Sequence, residues 1–276
     1  MQNYCYFCTP MDIMSAQQTM QNQEARPHVM GILNCTPDSF FAGSRKQTEQ
    51  EIASRATAIL EEGGDIIDVG AYSTRPGATE VSLEEEMRRM RHALQVIHRE
   101  QPSATLSIDT FRPEVARMAV EEYGAQIIND VSEGMYLEEM AAIGVTYVLM
   151  SVQPDMPSTL QVFREKVARL RQCGCNSIIL DPGFGFGKDV IDGNYAMLRQ
   201  LHEVKESFPE LSLLAGMSRK RMVWQLLGCQ PEDDAALHGT LLLNAIALQQ
   251  GADILRVHDV KAAADTVKIM RQFSFC

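Results

Sequence analysis

From His28 onward, eight short apolar runs alternate with stretches of helical periodicity. The runs are HVMGILN (28–34), DIIDVGA (65–71), TLSIDT (105–110), QIIND (126–130), VTYVLM (145–150), SIILDP (177–182), LSLLAGM (211–217) and DILRVHD (253–259). Runs that are apolar on both faces and separated by helices are what a parallel sheet buried under helices requires. Between them, Ser82 and Glu85 form a capping-box pattern that opens a helix whose buried face is Met87, Met90, Leu94 and Ile97. A second stripe, Ile52, Ala56, Ile59 and Leu60, stops at Gly63, and a third, Leu160, Phe163, Val167 and Leu170, stops at Gly174. The stretch 218–250 is long enough for two helices, with Trp224 in the outer layer. Residues 1–26, rich in Gln, Met and Asn and without clear periodicity, read as a flexible or partly strand-forming lead-in, and 27–276 as a single domain.

Eight strands alternating with about as many helices predict a (β/α)8 TIM barrel, with a doubly wound sheet as the alternative. A barrel gathers its active site at the C-terminal ends of several strands at once. Those ends carry Asn34, Asp68, Asp109, Asn129, Asp181, the cluster Ser218-Arg219-Lys220, and Arg256 with His258, while the fifth strand ends apolar at Met150. A ring with Asp and Asn on one side and Lys, Arg and His on another suits a bipolar ligand, a flat hydrogen-bonding heterocycle joined to an anion. Arg256 and His258, two residues apart on one strand, project to the same side and can share phosphate. Blander readings stand beside these: Asp109 and Asn129-Asp130 as helix caps, His258 as a structural histidine, Arg75 as a surface charge. The other five histidines, His28, His92, His98, His202 and His238, are assigned no role. The glycine-rich stretch DPGFGFGK (181–188) is no phosphate loop, because Pro182 and Asp189 stand where a P-loop needs glycine and a hydroxyl. It is expected to bring backbone and Phe186 close to a flat ring, with Lys188 as a brace.

Composition narrows the partners. With 45% hydrophobic and 22% charged residues the chain is globular, and a net charge of -11 argues against broad nucleic-acid binding. Small molecules are the expected partners. Seven scattered cysteines point to a reducing, cytoplasmic setting, and Cys5-x-x-Cys8 and Cys173-x-Cys175 lack the companions of a zinc site. No signal-peptide pattern and no apolar run of membrane-spanning length is present, so neither export by that route nor a membrane partner is expected.

The stretches MGILNCTPDSF (30–40), IIDVGAYSTRPGA (66–78), SIDT (107–110), IIND (127–130), ILDPGFGFGK (179–188), GMSRK (216–220) and RVHD (256–259) together, in this order, resemble the dihydropteroate synthase family. The resemblance implies a transferase of folate biosynthesis, a sulfonamide target, that joins (7,8-dihydropterin-6-yl)methyl diphosphate to 4-aminobenzoate. It implies Asn34 as ligand to Mg²⁺, and Asn34, Arg75, Arg256 and His258 around the diphosphate. Asp109, Asn129, Met150, Asp181, Phe186, Lys220 and Arg256 match the pterin-holding residues, with Asp68 beside them. Thr36, Pro37, Phe40, Thr74, Arg75 and Arg221 fall to the 4-aminobenzoate loops, and Asn34, Lys220, Arg256 and His258 form the catalytic set. A homodimer through helices at the far end of the barrel is also implied.

The chain departs from the family pattern at Phe41-Ala-Gly-Ser-Arg45, Tyr72, Ser151-Val152 and Arg221, which read as variation around the aminobenzoate. Two other readings stay open. One is a pterin-binding methyltransferase, which needs no diphosphate site; the other is a catalytically silent pterin-binding paralogue.

Overall fold

Each of the eight apolar runs forms a strand: β1 His28–Asn34, β2 Ile66–Gly70, β3 Thr105–Asp109, β4 Ile127–Asp130, β5 Thr146–Met150, β6 Ile178–Asp181, β7 Ser212–Ala215 and β8 Ile254–Val257. The computed structural model describes residues 26–35, 45–72 and 81–273; Thr36, Pro37, Phe40, Phe41, Thr74 and Arg75, and the lead-in through residue 25, lie outside the described residues. The strands are all parallel and close in sequence order, β1 pairing with β8, which makes a (β/α)8 barrel and excludes the doubly wound sheet. The described helices are α1 Arg45–Glu61, α2 Leu83–Glu100, α3 Pro113–Tyr123, α4 Leu137–Ala141, α5 Met156–Gln172, α6 Asp192–Arg199, α7 His202–Ser207, α8 Arg221–Leu227, α9 Asp234–Gln249 and α10 Val260–Met270.

The predicted helix faces are the buried ones. Met90, Leu94 and Ile97 on α2, Ile52, Ala56 and Ile59 on α1, and the whole α5 stripe pack against the sheet. Gly63 and Gly174 follow their helices in the left-handed conformation that terminates them. Half of the predicted capping box forms: Ser82 Oγ accepts from Glu85 N at 3.3 Å, while the Glu85 carboxylate turns to Arg88 and Arg89. Arg26, read as part of the lead-in, is tied to the barrel by its guanidinium on Asp65.

Two-residue alternation in the strands divides the residues into two sets. Val29, Leu33, Ile67, Val69, Leu106, Ile108, Leu180, Leu213 and Leu255 face the helices and join one large core. Met30, Ile66, Ile127, Val148, Ile179, Leu214 and Ile254 point inward and form a separate apolar plug across the barrel. Burial of each is worth roughly 1.5–3 kcal/mol, so the plug is a stable floor. Two residues further along the same strands come Ile32, Asp68, Asn129, Met150, Asp181, Gly216 and Arg256. The polar groups therefore occupy the tier directly above the plug.

Candidate active site

Arg256 is the hub of that tier. Its Nε donates to Asp68 at 2.6 Å and its Nη2 to Asp109 at 2.5 Å. Asp68, fully buried, also accepts from Ser107 Oγ at 2.6 Å, the residue opposite it in the β2–β3 register, and from Asn129 Nδ2 at 3.3 Å. Two carboxylates thus share one guanidinium. Burial pushes Asp109 up to about 7 even with Arg256 beside it, and the Asp68 charge adds to the rise. Burial opposes the Arg256 charge, but Asp68 and Asp109 outweigh it and keep the guanidinium protonated.

The capping readings fail. The helix after β3 is preceded by Arg112 and the one after β4 by Tyr136, and neither Asp109 nor Asn129 reaches them. Asp130 has the opposite parity from Asn129, faces the helices and accepts from the Tyr147 hydroxyl. Asn129 Oδ1 is buried and accepts no hydrogen bond from the described residues. An acceptor buried in this way costs about 1–3 kcal/mol unless a donor arrives, and it faces a tier where a ligand could supply one.

Asp181 closes the tier on the β6 side. One carboxylate oxygen accepts from Gly183 N at 2.8 Å, and burial raises its pKa. Lys220 reaches in from the β7 side. Its Nζ donates to Phe184 O at 2.5 Å and lies 5.0 Å from the centre of the Phe186 ring, and burial lowers it to about 8 against the pull of Asp181. Met150, buried, pairs with Asp181 in the ladder, and Phe186 lies beside Lys220.

Two of the three glycines of DPGFGFGK have a reason beyond the one expected. Gly183 and Gly187 have φ of +71° and +64°, and a Cβ on them would stand 1.9 Å from Ser151 O and 1.6 Å from Val152 O. They let the loop close on the backbone after β5, while a Cβ on Gly185 would meet Lys220 Cδ at 3.2 Å. Lys188 is the expected brace: its buried ammonium donates to Gly183 O and Phe186 O at 3.2 and 3.1 Å. The same β5 segment is held from the other side by Glu133, whose carboxylate accepts from Val152 N at 2.9 Å and Gln153 Nε2 at 3.0 Å. Glu133 itself sits at φ +59°, an uncommon conformation for this residue type, with Lys166 donating to its carbonyl. Ser151-Val152 is thus part of a brace for the pocket wall.

Asn34 and His258 stand on either side of the β1 and β8 seam. Asn34 Oδ1 and Asp109 Oδ2 lie 3.4 and 3.6 Å from the position where a side chain on Gly70 would begin. His258 donates its backbone N–H to Ser218 Oγ at 3.1 Å, and its Nδ1 lies 3.1 Å from the same oxygen. A Ser218 hydroxyl that donates to Nδ1 selects the tautomer with the proton on Nε2, a donor for an anion. Arg219, at φ +51°, is structural, pairing with Asp259 at 2.8 Å. Arg221 opens α8 exposed to solvent, and Tyr72 packs edge-on against Phe111, with the Arg112 guanidinium over both rings. Sequence reasoning left Asp68 at the margin and missed Ser218 and Glu133 as supports. The parity signal was available for Asp68, two residues after Ile66; for Glu133 there was none.

Fold and tier together define a barrel enzyme whose pocket opens at the C-terminal ends of the strands. Residues 30–258 match the family model described as pterin binding enzyme. The dihydropteroate synthase of Escherichia coli strain K12 is 41% identical over 265 residues, covering 89% of this chain and 91% of the relative. Among solved structures, dihydropteroate synthase from Clostridium difficile in the presence of pteroic acid superimposes with a TM-score of 0.84 at 30% identity, covering 92% of this chain and 98% of that one. The Xanthomonas albilineans dihydropteroate synthase with 4-aminobenzoic acid gives 0.81 at 36% identity, covering 91% and 94%. The chain belongs to the dihydropteroate synthase family of transferases.

Proposed function

We propose that the chain condenses (7,8-dihydropterin-6-yl)methyl diphosphate with 4-aminobenzoate to give 7,8-dihydropteroate and diphosphate. The observation that carries this is the buried tier, in which Asn129 Oδ1 lacks a donor among the described residues and the buried Asp181 carboxylate stands as a second acceptor for a flat donor ring. Pteroic acid and 4-aminobenzoic acid in the related structures support the same substrate pair.

In this reading Asp109, Asn129 and Asp181 accept from the pterin, Lys220 donates to its ring carbonyl, and Met150, Phe186 and the Arg256 guanidinium flank its faces. Asn34, Arg256 and His258 receive the diphosphate, joined by Arg75. Thr36, Pro37, Phe40 and Thr74, with Arg221, build the aminobenzoate side. Displacement is dissociative: the C–O bond breaks with its electron pair on diphosphate, and the electron-rich pterin shares the charge left on the methylene carbon. The neutral aryl amine then forms the C–N bond and releases a proton, without a strong base. Excluding water protects the cation from hydrolysis.

The described residues contain no group of three or more metal-ligating His, Cys, Asp or Glu side chains. Asn34, a single neutral oxygen donor, therefore fits Mg²⁺ only where diphosphate and water supply the other oxygens, the usual manner of phosphate-borne Mg²⁺. Mg²⁺ would then be held by Asn34 and supply positive charge to the departing diphosphate.

A homodimer is part of the proposal. It is supported by α8 and α9, where Leu226, Leu227, Leu242 and Ile246 are exposed. Cytoplasmic residence is supported by Cys35, Cys173, Cys175 and Cys229 being free thiols, and no helix among the described residues is long and apolar enough to cross a membrane. The test of the reaction is Mg²⁺-dependent diphosphate release from the pterin substrate with and without 4-aminobenzoate. Turnover only with both substrates and metal is expected. Tight pterin binding with no release in either condition would favour the silent paralogue and refute the synthase.

A further inference from the structure

The β1–β8 ladder ends at Gly31↔Val257, although β1 continues beside β2 as far as Asn34↔Gly70. At the end of the ladder the two strands carrying the diphosphate residues no longer hold each other. Arg55, on α1, bridges the gap: its Nε donates to Ile32 O at 3.3 Å and its Nη2 to His258 O at 2.6 Å. One planar group thus spans both strand ends, two residues before Asn34 on one side and at His258 itself on the other. The geometry depends on close approach of α1 to β1. A Cβ on Gly31 would lie 2.6 Å from Ile59, so only glycine lets the helix settle near enough. Ser218 grips His258 from the β7 side, and Arg55 completes the clamp from the β1 side. Asn34, Arg55 and His258 line one cavity of about 380 Å³.

We infer that Arg55 is a positioning residue for diphosphate, setting the separation of Asn34 and His258 across the open end of the β1–β8 seam. The inference rests on the diphosphate assignment of Asn34 and His258 proposed above. A guanidinium suits the task because its fork presents several donors in one fixed plane, whereas an ammonium presents a point charge on a flexible stem. Arg55 donates to two backbone carbonyls, so its effect passes through the spacing of its neighbours.

The test uses the full chain and the variants Arg55→Met and Arg55→Lys, with Asn34→Ala and His258→Ala as references. Inhibition by inorganic diphosphate, KM for each substrate, and affinity for a dihydropterin lacking diphosphate are measured. In Arg55→Met, the inhibition constant for diphosphate and the KM of the pterin diphosphate should rise by on the order of tenfold, with affinity for the bare pterin held within about twofold. Arg55→Lys, which can reach one carbonyl at a time, should restore part of the loss. Unchanged diphosphate inhibition in Arg55→Met, beside weakened inhibition in Asn34→Ala and His258→Ala, overturns the role of Arg55 alone. Unchanged inhibition in all of these variants overturns the diphosphate assignment as well. Equal loss of bare-pterin and diphosphate affinity in both Arg55 variants would make the residue a fold support only, and would also overturn the inference.

Discussion

Replacing Asp68 by Asn removes one of the two carboxylates that share Arg256 and leaves the shape of the site nearly intact. Asp68 is fully buried and accepts at 2.6 Å from both Arg256 Nε and Ser107 Oγ. Removing one partner of a buried ion pair costs about 3–5 kcal/mol when the other is left alone. Arg256 keeps Asp109 at 2.5 Å, so the expected cost is nearer one charge-assisted hydrogen bond, about 1.5–3 kcal/mol. That corresponds to a fall in Tm of roughly 3–5 °C in a chain of this size. A second readout follows from charge. Asp68 is one of the groups that raise Asp109, so without it the Asp109 pKa falls from about 7. On the proposed function Asp109 accepts from the pterin when ionised, so the acid limb of kcat/KM should move to lower pH in Asp68→Asn. The sign for stability is separate. Between its ordinary value of 3.8 and about 7, the folded chain holds a proton that the unfolded chain has released, so the Asp109 contribution to stability falls as pH rises through that window. Asp68→Asn narrows the window and flattens the pH dependence of melting. Thermal melts across pH and a kcat/KM profile measure both; a Tm within about a degree of wild type together with an unmoved acid limb would refute the shared-guanidinium account.

Other outcomes follow from the same tier. Asp181→Ala should abolish measurable pterin binding by calorimetry while the protein still melts cooperatively, and wild-type-like pterin affinity would remove Asp181 from the pocket. Lys220, lowered by burial to about 8, loses its charge on the alkaline side, so kcat/KM should fall above about pH 8. Lys220→Arg should lack that limb even at reduced turnover, and a limb that survives the substitution assigns it to another group. Gly187→Ala places a side chain at φ +64° and against Val152 O, costing about 1–2 kcal/mol for the backbone conformation before the clash is counted. Weaker pterin binding should accompany the lower Tm, and a stable variant with unchanged affinity would show that the loop can relax. Leu242→Asp, on the exposed apolar face of α9, should convert a dimer to a monomer in sedimentation velocity; a wild-type chain that already runs as a monomer disproves the dimer.

All eight strands could be read from the sequence, because a parallel strand covered on both sides must be apolar on both sides, and that constraint is written in consecutive residues. Helix faces followed for the same reason: Leu160, Phe163, Val167 and Leu170 bury together through spacing alone. The polar ends of the strands were legible too, since a charge at the end of an apolar run stands out locally. Which of those charges meet was not. Arg256 finds Asp68 and Asp109 only when the barrel closes, across separations of 188 and 147 residues. Closure also decided the glycine loop, where Gly183 and Gly187 answer to the carbonyls of Ser151 and Val152. Arg55 reads in sequence as one more polar position on an amphipathic helix, and acquires its meaning from two carbonyls on strands at opposite ends of the chain. Sequence by itself determined what each element buries, because burial depends on local periodicity. Tertiary structure decided which polar groups share a charge, because that depends on distances set only by closing the barrel.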